Sequence, residues 1–242
     1  MEWRKIGSNP VRPVKKPQQT RQRTIRPLGP EEIERLRAHL LRQGRERDLR
    51  DATLVSVQAY AGLRPGETRA LTWGDIRDST ILVDKAVALG EVKDTKTRRT
   101  RTVRLLKPLA ADLAEWRMAS GRPGDEALVF PTPNGRPWNQ HDWQNWVKRV
   151  YIPATAAVGI DSTRPYDLRH SCCSLMLAER RNPVEVAAQL GHSPAMTLQQ
   201  YGHIIDELRD KPSVPAEQLI REARERVAAQ WLYSDAEAAT AN

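Results

Sequence analysis

Residues 48–63 read as one helix, and its second half, "LVSVQAYAGL" (54–63), is apolar on nearly every side. A helix without a polar face belongs inside a core, so the rest of the chain has to wrap around it. Arg64 and Pro65 follow at once. The proline pushes Arg64 out of the helical region. A permanently charged guanidinium then stands at the inner end of a buried helix, where it needs a partner. Glu67 is the plain structural partner, and an anion in a cleft is the functional one.

Around this segment the pattern is mostly helical. A helix is predicted from Pro30-Glu31, with acids in its first turn. Helical spacing returns at 108–119, and then roughly at 139–157, 167–180, 183–190, 194–205 and 215–231. "STILVDKAVA" and "TRTVRLL" are strand-like, and "ALVF" is a short strand candidate. The expected fold is mainly α with a small antiparallel β-sheet.

Charge narrows the function. Lys and Arg total 39 against 30 acids, a net charge of +9. The excess is uneven: residues 1–30 hold eight basic residues and one acid, and residues 91–107 hold seven and two. Two dense basic stretches suit a polyanion, most simply nucleic acid. Lys15 and Lys16 in the first, and Lys93, Arg98, Arg99 and Arg101 in the second, are the candidate contacts. A solvated basic surface or an RNA partner fits the charge too, although no aromatic-rich strand supports RNA. No apolar run nears the roughly 18 residues of a membrane span, and the first residues carry no apolar signal segment. The two cysteines, Cys172 and Cys173, are adjacent, which suits a reducing cytoplasm and neither a disulfide scaffold nor a zinc site.

Four further positions stand out. Asp167 is a plausible N-cap, placing Arg169 at about the second helical position, where free N–H groups attract anions. Asn182-Pro183 starts a helix that Gly191 ends, and Ser193-Pro194 starts the next, so His192 is held on a short connector. Tyr201 lies on that next helix, with Leu198 and Ile205 at spacings that share its face. A tyrosine on an apolar stripe is ordinarily a packed residue with its hydroxyl bonded. Lys96 lies in "DTKTRRTRT", between two strand-like runs, where lysine is ordinarily an exposed hairpin charge.

Taken together, "AGLRPGE", "TKTRRTRTV", "YDLRH" and "LGHSPAMTLQQY" resemble, in order, the boxes of the tyrosine recombinases of phages and bacteria, over about residues 28–206. The resemblance implies a basic arm or linker at 1–27, a catalytic domain at 28–210 and a C-terminal tail helix at 211–242. It implies double-stranded DNA as partner, a tetramer on DNA, no cofactor or metal, and a bacterial or phage setting in the cytoplasm at the nucleoid. Arg64 and Arg169 would grip the scissile phosphate and His192 would donate to it. Tyr201 would be the nucleophile, leaving a 3′-phosphotyrosyl link, and Lys96 would protonate the leaving 5′-oxygen. Two departures stand against the pattern. Tyr166 occupies the usual histidine position, and no helical core-binding domain is legible before residue 28. A DNA binder that has lost cleavage, or a type IB topoisomerase-like relaxing enzyme, are the alternatives.

Overall fold

The structure, a computed structural model, describes residues 14, 26–42, 44–88, 90–94, 100–161 and 164–240, with residues 94 and 232–240 described by backbone alone. Helix α1 (Pro30–Leu41) has Pro30 at its first position, and the Glu32 side chain accepts from the Gly29 N–H at 2.9 Å. Helix α2 (Glu46–Ser56) continues into a π-helical turn, Val57–Ala61, and every residue from Asp51 to Leu63 is buried. This is the all-apolar segment, and it runs through the middle of the main core. Helix α4 (Lys107–Ala119) packs on α2, and α7 (Tyr166–Ala178) packs on the π turn.

Gly62 ends the π turn at φ +67, in the left-handed region that glycine adopts without a Cβ penalty. A Cβ there would also meet Leu190 Cδ2 at 2.6 Å and Cys172 Sγ at 2.9 Å. The chain then re-enters a helix at α3 (Pro65–Ala70), with Arg64 extended at φ −69, ψ 152 as its N-cap.

Four strands follow as two two-stranded antiparallel ladders. β1 (Thr80–Val83) pairs with β4 (Arg101–Arg104), and β2 (Lys85–Ala88) pairs with β3 (Glu91–Asp94). The strand expected at "ALVF" is instead one isolated bridge, Thr72 to Leu128, because Trp73 and Val129 reach across with single backbone bonds to Ala127 and Leu71. The expected long helix at 139–157 is α5 (Gln140–Trp146), a π turn at Val147–Tyr151, and α6 (Ile152–Ala157). Its first part carries an aromatic cluster: Trp143 and Trp146 centroids lie 5.0 Å apart, with Trp138 within 6.4 Å of both.

The C-terminal third forms a second apolar cluster. Helix α8 (Pro183–Leu190) and helix α9 (Pro194–Leu208) close against α7 through Cys172, Cys173, Val186, Leu190 and Tyr201. Helix α10 (Ala216–Thr240) then returns to the main core, burying Ala216, Ile220, Ala223 and Val227. It docks on its own chain. Arg224 forms ion pairs with Asp112 of α4 at 2.8 Å and with Glu34 of α1 at 3.1 Å, and Arg37 joins the same two acids. Among the described residues, no helix is long and apolar enough to cross a membrane.

Candidate active site

The C-terminal end of α8 organises the site. Asn182 caps the start of α8, accepting from Val184 and Glu185 N–H, and Gly191 closes it at φ +67. The last carbonyls of a helix have no partner within it and carry partial negative charge. Three arginines from three distant elements use them. Arg101 Nε donates to Gln189 O at 2.9 Å, Arg169 donates to Leu190 O, and Arg64 donates to Gly191 O at 2.6 Å. Arg169 also donates to Gly62 O, which ties α7 to the end of the buried helix. One helix terminus thus draws together cations that would otherwise repel.

Glu67 supplies the counter-charge. Arg101 pairs with it through both terminal nitrogens, at 2.9 and 2.7 Å, and Arg64 donates to it at 2.8 Å. Burial pushes the Glu67 carboxyl up, but the Arg101 fork, with Arg64, overrides this and holds it below its ordinary value. Arg64, Arg101 and Arg169 against one carboxylate leave a local excess of positive charge. Arg169 is buried, and burial, with the nearby Arg64, lowers its pKa from the ordinary arginine value.

His192 stands beside these arginines on the connector, half-buried, with Nδ1 3.2 Å from Ser193 O and 3.4 Å from Thr197 Oγ1. Burial lowers its pKa. Ser193 caps α9 by accepting from Met196 N–H at 3.3 Å, so both helix ends that hold His192 are specified by the residues legible in the sequence.

Tyr201 is buried in the α7–α8–α9 cluster, and its hydroxyl hydrogen-bonds His170 Nδ1. Burial, then the neighbouring Cys173, raises its phenol above the ordinary value. The plain reading of this tyrosine, packed with its hydroxyl bonded, therefore describes the conformation seen. The face expected from spacing needs correction: Leu198 is exposed, and Thr197 is buried in its place. Thr197 and Tyr201 are four apart and look inward, whereas Leu198 is turned on by one residue of helical rotation.

Three further readings change. The helix carrying Arg169 starts at Tyr166, with Pro165 before it and no side-chain cap, so Asp167 is inside the first turn and not the cap. Asp167 and Leu168 N–H groups bond back to Arg164 and Pro165, so the free-donor argument at this terminus loses two of its donors. Arg101, expected to face DNA, points inward to Glu67 with 12% of its side chain exposed. Tyr166 is exposed and meets His170 edge-on at 5.4 Å between centroids. Lys93 is an exposed residue of β3, 3.0 Å from Glu91. Lys96, Arg98, Arg99, Lys15 and Lys16 lie outside the described residues. Sequence reasoning misses His170. Its neighbour Arg169 carries the motif, and only the fold brings a residue 31 positions away against the imidazole ring. Among the described residues no group of three or more His, Cys, Asp or Glu side chains is placed to hold a metal ion.

The phage integrase family model matches residues 26–207. Prophage integrase IntR of Escherichia coli is 26% identical over 85% of this chain and 54% of its own length. Tyrosine recombinase XerC of Xanthomonas axonopodis is 33% identical over 64% of this chain and 47% of its own. The chain spans about half the length of the curated relatives it matches. Among solved structures, the Tn1549 transposon integrase in complex with transposon right end DNA superimposes with a TM-score of 0.64 at 18% identity, covering 78% of this chain and 65% of that one. XerA recombinase does so with 0.60 at 21% identity, covering 82% and 68%.

Proposed function

The chain belongs to the phage integrase family of tyrosine recombinases, and on that premise we propose that it cuts and rejoins double-stranded DNA at a specific site through a covalent 3′-phosphotyrosyl intermediate. The observation that carries the reading is the gathering of Arg64 and Arg169 at the end of α8 beside His192. A phosphodiester in displacement spreads charge over its non-bridging oxygens, and planar, permanently charged arginines with an added donor suit it.

In this reading a DNA phosphate takes the place of the carbonyls that now occupy Arg64 and Arg169. Tyr201 attacks phosphorus, and the bond to the 5′-oxygen breaks. Lys96, which falls between β3 and β4 in the sequence, gives that oxygen its proton. The phosphate ester is exchanged for a protein ester, so the bond energy is kept and rejoining needs no nucleotide. Arg101 has a positioning role: it holds Glu67, which holds Arg64. The relatives that bind DNA do so as longer proteins, and a homo-tetramer on DNA, acting in the cytoplasm at the nucleoid, completes the proposal.

The test uses a library of nicked duplexes of randomised sequence, with the chain added and covalently attached DNA recovered after denaturation. Adduct from the wild type and none from Tyr201→Phe, with DNA binding retained, is the expected result. Binding without adduct would make the chain a DNA binder that has lost cleavage, and relaxation of supercoils without joined products would make it a relaxing enzyme.

A further inference from the structure

By the resemblance of the sequence boxes, a histidine is expected where this chain has Tyr166. A phenol donates well but accepts a proton poorly near neutral pH. One helical turn on, at the i+4 position of α7, His170 presents Nδ1 to the hydroxyl of Tyr201. The two rings lie 5.7 Å apart between centroids, and Tyr166 meets the imidazole edge-on at 5.4 Å. We propose that His170 is the group that takes the Tyr201 proton during strand cleavage, filling the role that position 166 leaves open. The proposal rests on the recombinase reading.

The chemistry balances at named atoms. The Tyr201 oxygen forms its bond to phosphorus as its proton passes to His170 Nδ1. The phosphorus–O5′ bond breaks and Lys96 protonates O5′. On rejoining, His170 returns the proton to the departing phenol. No other reactant enters. The geometry supports an acceptor. Burial holds His170 below its ordinary pKa, so the ring is neutral and one nitrogen is free to accept. Burial raises the phenol, so it will not ionise unaided. The groups facing His170 are Asp167, Arg169 and Tyr166 on its own helix, His192 on the connector, and Tyr201 on α9. Asp167 favours the protonated ring, and Arg169 and His192 oppose it. His170 also follows Arg169 directly, so the acceptor is fixed to the same turn as a phosphate-gripping arginine.

The test compares wild type, His170→Asn and Lys96→Ala in single-turnover cleavage of a duplex recovered by covalent capture. Asparagine keeps an acceptor oxygen near the Nδ1 position but takes no proton. His170→Asn should slow adduct formation by ~10²–10⁴-fold while DNA affinity and melting temperature hold. It should also lose the wild type's acid limb, the fall in rate at a pH under the ordinary imidazole value because burial holds His170 down, a limb that a His192→Asn variant keeps. A duplex with sulfur in place of the bridging 5′-oxygen has a leaving group that needs no proton, so it should rescue Lys96→Ala and not His170→Asn. A purely structural clasp predicts otherwise: asparagine keeps the acceptor, so the rate would be unchanged or higher, and that result overturns the proposal. Nitrogen NMR of the histidine rings gives a readout apart from cleavage. An unprotonated Nδ1 whose resonance moves in Tyr201→Phe is expected, and a proton resident on Nδ1 overturns the role. Absence of any adduct from the wild type overturns the recombinase reading and this role with it. Wild-type adduct with an unimpaired His170→Asn overturns the role alone.

Discussion

Glu67 shows how one carboxylate lets three arginines share a small volume. It is 4% exposed and meets Arg64 and Arg101 directly. Its pKa in the fold lies below the ordinary 4.5, so its charge stabilises the fold above that pH and the contribution is lost as pH falls through the lowered value. Glu67→Gln should cost about 2 kcal/mol at pH 7, less than a fully buried broken pair because Arg64 is partly solvated. The variant should also lose less stability than the wild type on acidification below about 4.5. Urea melts at pH 7 and pH 4 check both. At Tyr166, exposed and edge-on to His170, Tyr166→Phe removes one neutral donor, whereas Arg169→Ala removes a charged fork from two buried carbonyls. The first should slow cleavage far less than the second. Equal losses would give Tyr166 a chemical role of its own.

At the scale of the element, two glycines do different work. Gly62 ends the buried π turn where Leu190 and Cys172 press against its backbone, and Gly191 ends α8 with Arg101 3.2 Å from where a Cβ would sit. Both lie at φ +67, so alanine costs about 1–2 kcal/mol at either from backbone strain. Gly62→Ala adds overlap with core atoms that have nowhere to go, and should be the more destabilising by thermal melting. Gly191→Ala meets a side chain that can shift. Its larger effect should be on cleavage, since that shift disturbs Arg101, Glu67 and the connector bearing His192. A Gly191→Ala variant as active as the wild type would show that the end of α8 does not set the site.

For the whole molecule, α10 ties the two ends of the described chain. Arg224 spans Glu34 of α1 and Asp112 of α4, and Trp231 lies under Arg42 at 4.6 Å. Arg224→Ala would leave two buried carboxylates sharing Arg37, a loss of about 3 kcal/mol. Deleting residues 212–242 should cost more, because Ile220 and Val227 leave the core as well. If mass measurements show the same assembly on DNA with and without the tail, α10 serves its own chain alone. At the other end, removing residues 1–27 should flatten the salt dependence of DNA binding by about 0.9 in the log–log slope for each phosphate the arm neutralises. An unchanged slope would show that Lys15 and Lys16 do not touch DNA.

What the sequence determined by itself is local. The buried helix at 54–63, the caps Asn182 and Ser193, the stop at Gly191 and the order of the basic boxes depend on neighbours a few residues apart, so spacing reveals them. The helical π turns and the split of the strands into two ladders were not legible, because each depends on packing across the fold. The site divides the same way. Its arginines and its histidine connector were legible as residues, but their direction was decided by tertiary structure. Arg101 turns inward because Glu67 and the carbonyl of Gln189 are there to receive it. Tyr201 turns to His170 because α9 folds back onto α7, and no spacing along the chain encodes where two helices meet.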